Sequence, residues 1–590
     1  MEVFIKKFRF PILATLIVLA LLSTAIFSAC RSITAVEDTS FINEPSYDLD
    51  FYPFPDGTYA VSAGRTTYLD KIVIPSVYNN RPVTEILPSG FADAENLVEI
   101  VIPDSITEIG EGAFANCTNL KNVYYGSGIT TIGARAFENC ISINRFTIPA
   151  GITDMGENVF IGCESLTNLT LENGNITITS ETFKDFTNLE VLTIGEGETI
   201  IEDRAFFKHP TLKNVIIRKG GGSIGTCAFY GCQSLTSVII AEGMESLGTQ
   251  AFSNCEMLKY VHIPDSVTSI GSVAFSGCIS LTEVHIPSGT KVLSTTFWNC
   301  TSLSKVVIPE GVERLESTFN HCTALTEVHI PASVKVADCF RGCTNLVSVN
   351  FEEGIEVIGC FYECVNLTKI NFPSTLKKID DNAFSKCYSL SDVVLPEGLV
   401  EIGPGAFAVC MSLKNIVIPD SVTVFREGVF SGCSSLESVT LGSGITRIYR
   451  KTFSECRKLT SITIPDAVTS IGAGAFLDCT TLEEIKLPSS LEYIAKNAFE
   501  NCKSLESIVI PEGTLEIGYA AFRDCKRLKS VYLPSTIEKI DFYAFWPCDS
   551  LKDIHFNGTK KEWEVAVYHA NWQDMFKSCT VHCTNGDVRA

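Results

Sequence analysis

The 590-residue chain has few of the residues and motifs on which catalysis and nucleic-acid binding usually depend. It contains no Walker-type phosphate loop and no H-E-x-x-H metal motif, and its eight histidines leave few candidate general bases. Basic residues are outnumbered, with 46 Lys and Arg against 68 Asp and Glu and a net charge of −22. Such an acidic surface argues against binding to nucleic acid and against electrostatic docking on anionic lipid. The sequence therefore predicts a protein that is not an enzyme and uses no cofactor.

Long apolar stretches are equally scarce, and the one present lies near the N-terminus. Residues 1–29 have a basic start, an apolar run over residues 10–27 and two small residues before Cys30. This pattern resembles a bacterial lipoprotein signal peptide, which implies that Cys30 carries the lipid, although Phe27 stands where that family usually has Leu, Val or Ile. An uncleaved membrane anchor or an ordinary signal peptide remains open, because the run is just long enough to span a bilayer. Each alternative places the bulk of the protein outside the cytoplasm.

What the chain has in abundance is a single stretch of about 23 residues that is repeated from end to end. Clear copies occupy residues 258–278, 459–479 and 505–525. A fixed short period over a long chain indicates a solenoid. The register follows the position three residues after a conspicuous Phe, which is Cys in 18 of the 21 units. The 21 equivalent positions are Ala94, Cys117, Cys140, Cys163, Phe186, His209, Cys232, Cys255, Cys278, Cys300, Cys322, Cys343, Cys364, Cys387, Cys410, Cys433, Cys456, Cys479, Cys502, Cys525 and Cys548.

Each unit divides into three segments. The segment L-x-x-V-x-I alternates apolar and polar residues, which predicts a short strand with Leu, Val and Ile facing inward, ended by Pro or a Gly turn. A second apolar pair, V-x-x-I-G, is predicted to cross the back of the coil, where Gly permits the bend. In A-F-x-x-C-x-x-L, the Phe, Cys and Leu lie on one face of a predicted helical turn. No unit can bury that face alone, so the sequence predicts an α/β repeat solenoid with short strands and short helical turns.

The unit resembles the leucine-rich repeat of the BspA-like (Treponema pallidum) type, with the A-F-x-x-C element in place of the regular Asn that follows the strand in the commoner leucine-rich pattern. The resemblance covers roughly residues 69–556 and implies a right-handed rod of about 21 units. Similar proteins are associated with attachment to host extracellular proteins and to other microbes. The resemblance therefore implies a lipid-anchored cell-surface adhesin whose partners are surface or extracellular proteins, or glycans, with the oligomeric state left open.

Outside the repeats, the sequence predicts a tether and two caps. Residues 30–49 are polar and without a period, as expected for a flexible tether. Residues 50–68 contain a turn at residues 55–57 between β-prone stretches, which predicts a hairpin that covers the first unit. Residues 557–590 abandon the repeat, and we expect a short amphipathic helix and a final strand to close the other end.

The 24 cysteines favour packing over a disulfide or metal scheme. Stacked units would place equivalent Cα atoms roughly 5 Å apart, within disulfide range by distance alone, but so many equivalent positions encode no specific pairing. Cys339 and Cys360 replace the Ala before Phe in neighbouring units, so a disulfide between them stays open beside ordinary packing. Cys579 and Cys583 flank His582, and strand alternation would put His582 on the opposite face, which favours a disulfide in the cap over a metal site.

The predicted contact surface is the outward stripe, which we define as the residue between the inward Val and Ile of each strand. Its middle part, the candidate segment, consists of Ile216, Ile239, His262, His285, Val307, His329, Asn350 and Asn371. The three histidines fall within four consecutive units and suggest a pH-responsive contact patch; a metal site there would lack a carboxylate or Cys partner on the stripe. The units between residues 279 and 364 are also shortened, which should alter the local curvature. A stripe that varies for β-propensity alone is the competing interpretation.

Two functions of other classes compete with adhesion. A periplasmic or envelope scaffold would need the same rod but no external ligand. In bacterial lipoproteins an inner-membrane retention signal would normally be Asp after the lipidated Cys, so Arg31 favours delivery to the outer membrane in a two-membrane bacterium. A hydrolase hidden in the caps would require a pocket with paired titratable groups.

Overall fold

The computed structural model describes residues 45–183, 186–359, 361–567 and 579–589, so Cys30 and the predicted signal peptide lie outside the described residues. Each repeat unit makes one turn of a coil that contributes one short strand to the front of a rod and, in nearly every unit, another to its back. Where strands of successive units pair, they do so in parallel and in register, and each ladder is divided into several sheets. The prediction of a capped repeat solenoid of about 21 units is confirmed.

The front ladder carries the L-x-x-V-x-I segments, one from each of the 21 units and one more before the C-terminal cap. Its inward Val and Ile are buried and its middle residues point outward, which is the alternation that the sequence predicts. The strands of the front ladder are Lys71–Val73, Glu99–Ile102, Asn122–Tyr125, Arg145–Ile148, Asn168–Asn173, Val191–Glu196, Asn214–Ile217, Ser237–Ile240, Tyr260–His262, Glu283–His285, Lys305–Val307, Glu327–Ile330, Ser348–Phe351, Lys369–Asn371, Asp392–Val393, Asn415–Val417, Ser438–Thr440, Ser461–Thr463, Glu484–Lys486, Ser507–Val509, Ser530–Leu533 and Asp553–Phe556.

The back ladder carries the V-x-x-I segments in strands of two to six residues. In one unit the segment is reduced to an isolated bridge between Ile448 and Ile471. The strands of the back ladder are Arg81–Ile86, Glu108–Ile109, Thr131–Ile132, Asp154–Met155, Ile176–Ile178, Thr199–Ile201, Gly222–Ile224, Ser246–Leu247, Ser269–Ile270, Val292–Ser294, Arg314–Glu316, Val336–Asp338, Val357–Ile358, Lys378–Ile379, Glu401–Ile402, Val424–Phe425, Ser470–Ile471, Tyr493–Ile494, Glu516–Ile517 and Lys539–Ile540.

The shortened units keep the front ladder in register. His285 pairs with Val307, which is 22 residues later, and Asn350 pairs with Asn371, which is 21 residues later. The missing residues come from the segment between the back strand and the Phe, because the strand pairs on both sides of it are preserved. A change in repeat length therefore leaves the front surface continuous.

The core consists of side-chain columns that run along the rod. Phe229, Phe252 and Phe275 are fully buried and stack with ring centroids 5.1 and 5.2 Å apart and interplanar angles of 2 and 5°. Truncating one such ring to Ala would cost about 3–5 kcal/mol. In the neighbouring column, Cys255 donates its Sγ–H to the carbonyl oxygen of Phe229 at 3.1 Å, and the other units repeat this bond. The cysteines therefore fill space, as predicted, and also satisfy a backbone acceptor.

The A-F-x-x-C segment forms consecutive turns instead of a continuous helix. Cys255 N–H donates to Phe252 O at 3.3 Å, which closes one tight turn around the Phe. Two residues per unit then adopt left-handed conformations, Gln250 at φ 57° and Asn254 at φ 58° in this unit. Because a residue in the left-handed region cannot continue a right-handed helix, these positions interrupt helical hydrogen bonding before a second turn can form. In the described residues the helices are a 3-10 turn, Thr66–Tyr68, and the α-helix Lys560–Ala566.

At the N-terminal end, a hairpin of strands Asp50–Pro53 and Tyr59–Ser62 covers the first unit. Its second strand pairs in parallel with Arg81–Ile86 and so extends the back ladder. The short strand Val77–Tyr78 folds back on the same partner in an antiparallel pair. Ser46 hydrogen-bonds Val73 in both directions at 3.0 Å, so ordered contacts with the rod begin before the hairpin.

At the C-terminal end, strand Thr580–Cys583 pairs in parallel with the last front strand and then turns into the antiparallel strand Gly586–Arg589. The helix Lys560–Ala566 begins with a capping box in which Thr559 and Glu562 satisfy each other's backbone N–H groups. Its Trp563 is fully buried against Phe556, which covers the core of the last unit. Of the helices in the described ranges, none combines the length and apolarity that crossing a membrane requires.

The left-handed position before the Cys column suggests a stabilising substitution. Val409 occupies this position at φ 61°, where a β-branched side chain is strained. Asn254 holds the equivalent place and, like Val409, is followed by a Gly one unit later, so Asn should fit. We expect Val409→Asn to raise the free energy of unfolding by about 1 kcal/mol, measured as a higher melting temperature by calorimetry.

The matched control is Val417→Asn, which makes the same exchange at an exposed front-strand position. It should leave stability unchanged or lower it, because Asn is disfavoured in strands. A lower melting temperature for Val409→Asn would show that the packing of the Val side chain outweighs its backbone strain.

Candidate functional site

The structure places the candidate segment along the outer surface of the front ladder. Cross-strand pairs join the eight residues into three groups with consecutive members. The groups are Ile216 with Ile239 and His262, His285 with Val307, and His329 with Asn350 and Asn371. The strands of the three groups are neighbours along the rod, although no ladder pairing joins one group to the next in the described residues. The role of the segment in ligand contact stays a prediction.

Exposure is uneven along the candidate segment. Ile216, Ile239 and His262 are half-buried, whereas the remaining five members are exposed. Val307 has 52% of its surface accessible. The part of the segment that a macromolecule can reach most easily is therefore the part that begins at His285 and coincides with the shortened units.

Carboxylates from the loops after the strands accompany two of the three histidines. His285 Nε2 lies 3.3 Å from Asp265 Oδ1, and His329 Nε2 lies 2.9 Å from Glu352 Oε1. The sequence argument considered carboxylates on the stripe alone and so missed these partners. Each contact joins one imidazole to one carboxylate, and the described ranges contain no group of three His, Cys, Asp or Glu side chains arranged to hold a metal ion.

The electrostatics of this region follow from burial and from those pairs. Burial lowers the pKa of His262, and the neighbouring His285 lowers it further, so His262 is neutral at pH 7. The backbone N–H of Ser288 is the main cause of a lowered pKa at Asp265, with His285 contributing. At Glu352 the hydrogen bond from His329 is the main cause of a lowered pKa. Asp265 and Glu352 are therefore ionised at neutral pH and act as hydrogen-bond acceptors beside the two imidazoles.

The cysteine column has the properties of an apolar core and not of a reactive site. Burial raises the pKa of Cys117 to about 12, and the same cause acts along the column. Because the thiolate is the nucleophile and the metal ligand, thiols with such pKa values are chemically inert. Of the cysteines considered individually, Cys339 is buried and Cys360 lies outside the described residues. Cys579 Sγ–H donates to Leu551 O at 3.3 Å, which continues the hydrogen-bonding pattern of the column into the cap.

One string in the back ladder, residues 221–225, matches the pattern G-x-S-x-G of a nucleophile elbow. That elbow requires a Ser on a sharp turn from a strand into a helix. Ser223 lies instead within the strand Gly222–Ile224 and pairs with Ile200 and Ser246 on its two sides. The match is therefore a consequence of the Gly-rich repeat and not a catalytic arrangement.

A ring stack at the C-terminal end was not recognised from the sequence as a unit. Tyr532, His555 and His582 occupy successive positions of the outward stripe, with centroids 4.5 and 5.0 Å apart and interplanar angles of 9 and 21°. His582 lies 3.2 Å from Asp553 and 3.0 Å from Asp587, and these hydrogen bonds raise the pKa of His582. Tyr532 and His555 are visible in the stripe, but the third ring depends on the register of the cap strand, which no repeat specifies.

Comparisons with known proteins agree with this architecture. The family model described as the BspA type leucine-rich repeat region matches six overlapping stretches, residues 84–213, 199–323, 249–359, 315–437, 359–479 and 446–571. Together they span residues 84–571 and so most of the chain. No curated protein matches the chain.

Several solved structures are similar to parts or most of the rod. A leucine-rich repeat protein from Bacteroides ovatus is 21% identical, with 92% of this chain and all of that chain covered and a TM-score of 0.36. A leucine-rich repeat protein from Treponema pallidum is 23% identical over 40% of this chain and 90% of that chain, with a TM-score of 0.23. A leucine-rich cell surface protein from Faecalibacterium prausnitzii is 21% identical over 88% of this chain and 96% of that chain, with a TM-score of 0.22.

Because Asp553 and Asp587 both hydrogen-bond His582, we expect the stability of the C-terminal cap to depend on pH. Because the folded-state pKa is raised, the stabilisation is complete below the ordinary His pKa of about 6.5 and is lost as the pH rises through the raised value. We expect His582→Gln to destabilise the cap at pH 6 and to have little effect at pH 9. Hydrogen exchange of strand Thr580–Cys583, corrected for intrinsic rates at each pH, measures this difference.

His285→Gln serves as the control, because it removes an imidazole with a carboxylate partner far from the cap. It should leave exchange in the cap unchanged at both pH values. Equal destabilisation by His582→Gln at pH 6 and pH 9 would mean that ring packing, and not the charge on His582, stabilises the cap.

Proposed function

The chain belongs to the BspA-type leucine-rich repeat family, and on this basis we propose that it is a lipid-anchored surface protein that binds other proteins and acts as an adhesin. Its role is binding and not catalysis, and its partners are extracellular or surface proteins, with glycans as a second ligand class. The N-terminal signal with Cys30 supports export and anchoring. The observation that carries the proposal is the continuous front surface, on which one outward side chain per unit is presented at regular intervals.

Exposed apolar side chains support a binding surface. Val394 and Val417, in neighbouring units of the outward stripe, are 74% and 62% exposed, and Val307 is 52% exposed. Only Val394 and Val417 are adjacent, and exposed apolar groups that are adjacent and bordered by polar residues are typical of surfaces that contact other macromolecules. The acidic net charge of −22 favours partners with basic surfaces, because complementary charge accelerates encounter.

Protease shaving of intact cells tests the location. We expect an antibody against the rod to lose its signal after external protease treatment, while a periplasmic control protein is preserved. Protection of both proteins would place the rod inside the envelope. Adhesion would then be excluded, and the scaffold interpretation would replace it.

Substitution of the candidate segment tests the surface. We expect His329→Ala combined with Asn350→Ala to weaken binding to a matrix protein identified from a panel of host extracellular proteins by roughly thirtyfold, because two contact residues that each contribute about 1 kcal/mol together contribute about 2 kcal/mol. Both residues are exposed, so the melting temperature should not change. Surface plasmon resonance with the purified full chain gives the affinities.

Thr440→Ala combined with Thr463→Ala is the matched control, since both residues are exposed on the same stripe outside the candidate segment. This variant should bind like the parent protein. Equal loss in both double variants would assign binding to the stripe as a whole, and loss of stability without loss of binding would remove the candidate segment from the proposed surface.

A further inference from the structure

The ring stack of Tyr532, His555 and His582 has one open end. Cα register pairs Val509 with Tyr532 on the side opposite His555, so the next place in the stack is held by a short aliphatic side chain. Val509 is 62% exposed and Tyr532 is 42% exposed. Because a Val reaches less far from the backbone than a Tyr, the outer part of the Tyr532 ring face above Val509 is uncovered.

A shallow groove of about 390 Å³ occupies this place. Val509 and Tyr532 contribute to its floor, and Pro511, Pro534 and Asn557 contribute to its sides. Among the described residues that line it, Glu512 is the one carboxylate, and neither Lys nor Arg lines it. Asn557 donates to Glu512 Oε1 at 2.6 Å and Ser535 donates its hydroxyl to Oε2 at 3.3 Å, and these bonds fix the carboxylate in the groove.

Elsewhere in this protein, a Tyr ring and a neighbouring carboxylate together contact basic side chains. Tyr362 lies at the turn edge of the shortened units, with the Arg341 guanidinium carbon 4.9 Å and Lys386 Nζ 4.8 Å from its ring centroid. Glu363 Oε1 binds Lys386 Nζ at 2.8 Å. Cations from the neighbouring units therefore lie against a half-buried Tyr ring, and a carboxylate binds one of them. The groove has the corresponding Tyr532 and Glu512, but no Lys or Arg is among the described residues that line it.

We propose that this groove binds an arginine side chain of a partner protein, with the guanidinium stacked on the open face of Tyr532 and hydrogen-bonded to Glu512. A planar guanidinium matches both parts of the site, because it stacks on aromatic faces and donates to carboxylates in a fork. The negative net charge of the chain favours a cationic ligand.

This inference rests on the proposed protein-binding function and adds a specific partner chemistry to it. The probe is a capped pentapeptide, Gly-Ser-Arg-Ser-Gly, titrated into the purified full chain and followed by saturation-transfer NMR. A second peptide replaces Arg with citrulline, which keeps the shape and removes the charge. We expect the arginine peptide to bind at least about fivefold more tightly than the citrulline peptide, as the loss of a partly exposed cation contact predicts.

Three variants test the geometry. Val509→Phe should fill the open place with a ring that continues the stack and should abolish binding of the arginine peptide, without a loss of stability because aromatic residues favour strands. Tyr532→Leu and Glu512→Gln should each weaken binding at least about fivefold, whereas Tyr532→Phe should retain it. Melting temperatures of all variants identify any that fail to fold.

Residues 394–398 provide the matched control, because they repeat the pattern V-x-P-E-G of the groove residues 509–513, with Val417 in place of Tyr532 in the next unit. Glu397→Gln should leave peptide binding unchanged. Equal binding of both peptides, or equal losses at Glu397 and Glu512, would overturn the inference. If the peptide test fails while matrix-protein binding still depends on His329 and Asn350, only this inference falls; if surface display fails and the peptide still binds, only the adhesin proposal falls.

Discussion

The stacking of equivalent side chains at a separation of about 5 Å is the interaction on which the rest of the rod depends. Each unit exposes a Phe, a Cys and several aliphatic residues that it cannot cover itself, so its stability comes from the units before and after it. The nearly parallel rings of Phe229 and Phe252, 5.1 Å apart, show how closely successive units must match. The same dependence explains the caps, since Trp563 and the N-terminal hairpin cover the units that lack a neighbour.

The constraint that stacks the core also organises the surface. Side chains separated by 21 to 23 residues in sequence become direct neighbours, so ion pairs and ring contacts run along the rod rather than along the chain. Lys539 and Glu516, 2.8 Å apart, and Lys386 and Glu363 are separated by one unit in each case. Deletions in the shortened units fall outside the strands, so the surface columns continue through them. A binding surface on this fold is therefore formed by residues from successive units, and not by residues that are close together in the sequence.

Much of this architecture can be predicted from the sequence, because period and alternation are read directly from residue types. The front strands, the buried Phe and Cys columns and the outward stripe all follow from that pattern. The turns around Asn116 and Asn139 could not be derived from the i, i+3 spacing of Phe and Cys, which suits a helix equally well. Their signal is the frequent Asn, Gly or Asp before the Cys. The carboxylate partners of His285 and His329 come from loops, whose side-chain directions no periodicity fixes.

Residues that depart from the repeat pattern are the ones that can give this protein a specific function. A position that packs between units is restricted to nearly one residue type, as the Phe column illustrates, whereas the outward stripe can vary without disturbing the core. The strongest departures are the histidines of the candidate segment and the ring stack that ends at Val509. With roughly 4.8 Å per unit, the rod is about 100 Å long. The ring stack lies at the C-terminal end of the rod, where the cap strand supplies a ring that no repeat unit specifies.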